Sequence, residues 1–217
     1  MGKGKFITFE GVDGAGKTTQ ISLFSNWLLE QGEDVLLTRE PGGDKPAEAI
    51  RSVILDPAYD DMDALTEAYL YAAARCQHVR RVLRPAIESG RTVICDRYLD
   101  SSLAYQGGGR GLGIELVREL NREAVDGCLP DWTVLLLLNP EAAMERMEGR
   151  SLDRLEQTPV TFRRKIYDSF LALAEAAPER IFTVDAAGTV EMIAETIRAA
   201  YIARFGNCQK KDYYRRF

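Results

Sequence analysis

The stretch Gly11-Val12-Asp13-Gly14-Ala15-Gly16-Lys17-Thr18 constrains this chain more than any other. It fits the spacing G-x-x-x-x-G-K-[ST] of a phosphate-binding loop. Ahead of it, Phe6-Ile7-Thr8-Phe9 reads as a strand; after it, Thr19 to Phe24 opens a helix. Its glycines let the backbone curl around an anion and aim N–H groups inward. The following helix adds the positive end of its dipole. Gly11 to Thr18, together with Thr19, are therefore the expected triphosphate-binding residues. Lys17 supplies a cation for the β- and γ-phosphates, and the Thr18 hydroxyl is placed to ligate Mg²⁺. The motif predicts a bound nucleoside triphosphate and leaves open what is done with it.

The rest of the chain repeats the strand-then-helix order. Strand-like runs fall at 5–10, 34–38, 92–96, 132–138 and 180–185, with helical stretches such as 18–30, 63–88 and 190–204 between them. That alternation predicts an α/β fold: a five-stranded parallel sheet with helices on both faces. The run Val134 to Leu138 is apolar without alternation, as a strand buried on both faces should be. In such sheets ligands bind beyond the carboxyl ends of the strands. No linker or repeat divides the chain, so residues 1–205 read as one domain and 206–217 as a polar, basic tail.

Composition narrows the partners. A net charge of −5 argues against a general nucleic-acid-binding surface. No apolar run approaches membrane-spanning length, and the first strand starts almost at once, so neither a membrane span nor a signal peptide is expected. Cys76, Cys95, Cys128 and Cys208 have no metal-ligand spacing and read as reduced thiols of a cytoplasmic protein. His78 is the sole histidine and, with no partner motif, reads as structural.

Candidate chemistry follows the strands. Arg39 and Pro41 lie in Thr38-Arg39-Glu40-Pro41-Gly42-Gly43, a charged turn in which the arginine can meet a phosphate and the proline can form an apolar wall. Tyr71 and Arg75 are four apart and share a helix face, where a ring can stack on a base and a guanidinium can donate to its carbonyls. Asp96 ends the third strand, at a position that helps hold Mg²⁺ in phosphate-loop proteins, and Arg97 beside it suits a second phosphate. In Tyr105-Gln106-Gly107-Gly108-Gly109 the glycines mark a loop or a close backbone approach. Arg146, Arg150 and Arg154 step by four around Gly149, which weakens the helix, so about 147–158 reads as an arginine-bearing lid.

In combination, FEGVDGAGKTTQ, TREPGG, the Tyr71/Arg75 pair, CDRYLDSSLAYQGGGRG and GRSLDRLEQ resemble the thymidylate kinase family over nearly the whole chain. The resemblance implies ATP and dTMP as substrates, Mg²⁺ as cofactor and a homodimer. It implies that Asp13 lies near the acceptor sugar and metal, that Arg97 binds the acceptor phosphate, and that Tyr71 and Arg75 hold the thymine. Tyr105 would lie against the sugar, with Ser102 and Gln106 in the same acceptor motif and Arg39 and Arg51 as further phosphate contacts. Gly14 stands where other members carry a catalytic arginine, so the chain resembles the type that draws it from the lid, as Arg150 or Arg154. Kinases of other nucleosides or monophosphates, and nucleotide-dependent switches, are the competing readings.

Overall fold

The structure, a computed structural model, describes residues 4–149 and 153–206. Arg150 and the tail beyond Gly206 lie outside the described residues. The first half of the chain runs β1 (Phe6–Glu10), α1 (Lys17–Glu30), β2 (Val35–Arg39), α2 (Lys45–Leu55), α3 (Ala64–His78), α4 (Arg84–Glu88) and β3 (Thr92–Asp96). It continues through α5 (Leu99–Ser102), α6 (Ile114–Val125), β4 (Trp132–Leu137), α7 (Pro140–Glu145), α8 (Val160–Ala176), β5 (Ile181–Asp185) and α9 (Val190–Phe205). Residues Val79–Leu83 join α3 to α4 as π-helical turns, and Leu103–Gly109 extend α5 in the same way.

The five strands form one sheet in the order β2-β3-β1-β4-β5, every pair parallel. β1 lies in the middle, with Phe6 beside Val93 on one side and Ile7 beside Trp132 on the other. All five of its residues are buried, as a strand covered on both faces requires. Side-chain caps fix where several helices begin. Asp44 accepts from the Ala47 N–H, Asp63 from those of Leu65 and Thr66, and Thr189 from that of Met192; each satisfies donors that a first turn leaves open. One face of the sheet is sealed by an aromatic cluster in which Phe24 of α1 and Tyr201 of α9 meet Trp132.

The three-glycine stretch is helical. The Arg110 N–H donates to the Tyr105 carbonyl, five residues back, and the wide turns press bare backbone against α8. A Cβ on Gly109 would stand 2.8 Å from the Phe162 ring, and one on Gly108 would stand 1.8 Å from Ser169 Oγ. The close approach expected of these glycines is therefore real, and its partner is α8. β4 ends at Leu137, α7 ends at Glu145 with Arg146 as its cap residue, and turns occupy the described residues on to α8.

Candidate active site

The carboxyl ends of the strands open into a cavity of about 420 Å³. Many segments converge there: the loop after β1, the turn after β2, α2, α3, the end of β3 with the stretch from Arg97 to Gln106 that follows it, Arg146 after α7, and Asp153, Leu155 and Glu156 ahead of α8. This is the crevice in which parallel α/β sheets place their ligands.

The phosphate loop is shaped by its glycines. Gly14 and Gly16 sit at φ 83° and 90°, and Gly11 at φ 134°, all conformations costly for a side-chain-bearing residue. Gly16 caps α1 without a side-chain bond, so the first-turn N–H groups face the cavity. Lys17 is buried, and its Nζ donates to the carbonyls of Gly11 at 2.9 Å and Val12 at 3.0 Å. Burial, and then the charge of Arg97, push its pKa down to about 8. Thr18 and Thr19 are exposed at the cavity edge.

Arg97 is the hub. Its backbone is left-handed at φ 68°, a conformation rare for a residue with a Cβ and common at functional sites. The turn is held by the Arg97 N–H to the Phe9 carbonyl and by Cys95 Sγ to the Arg97 carbonyl. From there its guanidinium donates to the Gly11 carbonyl, to Ser101 Oγ and, at 2.5 Å, to Asp13 Oδ1. Asp13 Oδ2 accepts from the Tyr105 hydroxyl at 3.0 Å. Burial alone would raise the Asp13 carboxyl, but Arg97 and Lys17 hold it well below the usual carboxylate range. Behind Arg97, Glu10 accepts from the Tyr98 N–H and from Ser101 Oγ. Burial and then the Asp100 charge push Glu10 up to about 8. Among the described residues, the Arg97 Nε–H and one N–H of its NH2 group carry no hydrogen bond, leaving a fork open toward an anion.

Arg75 lies deeper, fully buried. It donates to Glu40 at 2.8 Å, to Asn121, to the Tyr98 carbonyl and to Ser102 Oγ. Among the described residues four of its five N–H groups are spent, which fixes the plane of the guanidinium and leaves one donor. Tyr71, one turn earlier on α3, lines the same cavity; burial raises its hydroxyl above the usual range, so it stays neutral. Ser102 is not among the lining residues; it stands behind Arg75 as its acceptor. Gln106 donates to Glu67, and its buried Oε1 has no partner among the described residues. Arg39 reaches the cavity while paired with Glu48, and Arg51 donates to the Pro41 carbonyl.

Asp96 supplies the other orphaned atom: its buried Oδ1 has no partner among the described residues. A lone carboxylate oxygen with Thr18 on the same cavity fits a hard cation that keeps most of its own water. Arg154 differs from expectation. It does not line the cavity; its side chain is buried against the Ile54 carbonyl and Glu67. Arg146 does line the cavity and donates to the Ala186 carbonyl beyond β5. Its position just past β4 and α7 was the signal that could have placed it in the site. The motifs also leave Glu10, Glu40 and Glu67 without a role, although Glu10 is a carboxylate at the end of a wholly buried strand. Asn121, in the middle of an amphipathic helix, carried no signal at all. His78 is structural, hydrogen-bonded to Glu40 and Thr38.

A family model described as thymidylate kinase matches residues 9–197. A thymidylate kinase of Limosilactobacillus fermentum is 48% identical over 208 residues, covering 94% of this chain and 97% of its own. One from Geobacillus sp. is 48% identical over 201 residues, covering 91% and 96%. The crystal structure of thymidylate kinase from Ehrlichia chaffeensis superposes with a TM-score of 0.75 at 30% identity, over 91% of this chain and 98% of that one.

Proposed function

The chain belongs to the thymidylate kinase family, and on that premise we propose that it transfers the γ-phosphoryl group of ATP to dTMP, giving ADP and dTDP. One observation carries the assignment of the acceptor side. Arg97 leans over the phosphate loop with two N–H groups free of protein partners among the described residues, where a second phosphate would meet the first.

The acceptor is a phosphate oxygen, already anionic near neutral pH, so no general base is required. The protein's task is to bring two polyanions together and to compensate charge as the phosphoryl group moves. The loop Gly11–Thr19 holds the ATP phosphates with its N–H groups, and Lys17 leaves the Gly11 and Val12 carbonyls for the β- and γ-oxygens. Arg97 holds the dTMP phosphate, and Arg39 and Arg51 stand at the rim of the same side. Tyr71 stacks on the thymine, Arg75 gives it its one remaining N–H, and Gln106 Oε1 accepts on the nucleoside side. Pro41 forms an apolar wall. Ser102 acts through Arg75, as its buried acceptor. Asp13, clamped between Arg97 and Tyr105, fixes both groups against the acceptor sugar. Thr18 and Asp96 would hold Mg²⁺, which supplies Lewis-acid compensation of phosphate charge when bound. Arg150 is the lid arginine assigned to the transferring phosphate.

Leu65 and Tyr69 of α3 and Leu116 of α6 are exposed apolar side chains on neighbouring helices, which supports a homodimer through that face. Nucleotide substrates and, among the described residues, thiols free of disulfides at Cys76, Cys95 and Cys128 support a cytoplasmic location.

The test is ADP release coupled to a spectrophotometric readout, with dTMP, dUMP, UMP, CMP and thymidine as acceptors. dTMP should give the highest kcat/KM, and Arg97→Ala should raise its KM by about a hundredfold, the loss expected for a charged clamp. A preference for thymidine over dTMP would refute Arg97 as the acceptor clamp.

A further inference from the structure

Glu67 is a buried carboxylate that the mechanism above does not use. It lies on α3 one turn before Tyr71 and is absent from the cavity lining. Four N–H groups converge on it. Gln106 Nε2 donates to Oε1 at 2.9 Å, Arg110 to Oε1 at 3.2 Å and Oε2 at 2.9 Å, and Arg154 to Oε2 at 2.5 Å. Two guanidiniums share this one carboxylate in a site with no exposure at Glu67 and little at Arg154. Burial alone would raise its pKa, yet its hydrogen bonds to Arg110 and Gln106 and the Arg110 charge, with Arg154 adding to them, keep it below the usual range, so it stays ionised.

Each donor leads to a different part of the acceptor side. Gln106 lines the cavity, and its buried Oε1 has no partner among the described residues. Arg110 follows the glycine stretch and lies 4.9 Å over the Phe162 ring at the start of α8. Arg154 is pinned to α2 as well, by its Nε to the Ile54 carbonyl and its backbone N–H to the Leu55 carbonyl. Its neighbours Asp153 and Leu155 face the cavity while Arg154 points away from it. A single carboxylate thus ties the wall at 153–156 and Gln106 to the helix that carries Tyr71 and Arg75.

We propose that Glu67 is a positioning residue for the acceptor nucleotide, acting through Gln106 and through an Arg154 that serves as the anchor of the cavity wall and makes no contact with ATP. This rests on the reading of the cavity as a dTMP site. Loss of the tie leaves a buried charge unpaired and lets the wall shift by a fraction of an ångström, enough to cost one to two orders of magnitude in a positioned reaction.

The experiment is steady-state kinetics on Glu67→Gln, Arg154→Met and the double variant, varying dTMP and ATP separately, with Tm measured on each. Glu67→Gln should raise the KM for dTMP by about tenfold to a hundredfold and Arg154→Met by several-fold. The KM for ATP should stay within about twofold for both, and the double variant should match Glu67→Gln, since one tie cannot be lost twice. Arg154→Lys, which keeps the charge toward Glu67, should recover part of the loss. A purely structural role would lower Tm and total activity without separating the two KM values, and that result overturns the proposal. So does the pattern in which Arg154→Met loses kcat at unchanged dTMP KM while Glu67→Gln keeps full activity, because Arg154 would then act by leaving Glu67. Failure of the wild type to phosphorylate dTMP would instead refute the functional reading, independently of any variant.

Discussion

Lys17 begins its catalytic life bound to the wrong partners. Two main-chain carbonyls hold its ammonium inside the loop, and burial lowers its pKa to about 8 from an ordinary 10.5. The sign of the consequence is fixed. Below pH 8 the fold bears the cost of a buried charge; that cost shrinks as pH rises from 8 toward 10.5, where the unfolded chain is the one that holds the extra proton. ATP phosphates reverse the shift by favouring the charged form. ATP binding near pH 8 should therefore take up about half a proton per site. Calorimetry in two buffers of different ionisation enthalpy reads this directly, and a buffer-independent heat would exclude it. Glu10, pushed up to about 8 by burial and Asp100, works the other way: the fold binds its proton more tightly than the unfolded chain, so its contribution to stability falls between pH 4.5 and 8.

At the level of elements, the chain announces its strands more clearly than its helices. All five strands lie within a residue of where apolar runs placed them, because a parallel strand covered on both faces needs a continuous apolar run. The π-helical turns at Leu103–Gly109 were not legible: three glycines disfavour a helix by propensity, and only the packing of α8 against them reverses that. Gly109→Ala tests this packing. Its Cβ would meet the Phe162 ring at 2.8 Å and Ile166 at 3.1 Å, so the variant should lose about 1–3 kcal/mol, the usual cost of overpacking. Thermal unfolding should show a Tm lower by several degrees; an unchanged Tm would mean that α8 yields freely. The site divides in the same way. Residues at strand ends, such as Lys17, Asp96 and Arg97, could be read from motif and position. Residues that brace them from behind, such as Asn121 for Arg75 and Glu67 for Gln106, could not, because their partners are distant in sequence and ordinary in type.

The whole molecule is a central parallel sheet of five strands joined by four crossovers, with its working edge at the strands' carboxyl ends. α3 and α6 stand together at one side with Tyr69 and Leu116 exposed, the face assigned to self-association. Tyr69→Glu combined with Leu116→Asp should convert a dimer into a monomer in sedimentation velocity, by placing charges where apolar contact is needed. A dimer that survives both changes would place the interface elsewhere. The position of β1 carries a further consequence. It precedes both of its neighbours in the sequence, β3 and β4, and Trp132 of β4 pairs with Ile7. At ordinary rates of synthesis the ribosome needs on the order of ten seconds to deliver that second neighbour. Pairings this distant in sequence are also slow to form once the chain is free. Through that interval the strand leading into the nascent phosphate loop can pair with β3 alone, so the loop stands on a half-built sheet until β4 arrives on its other side.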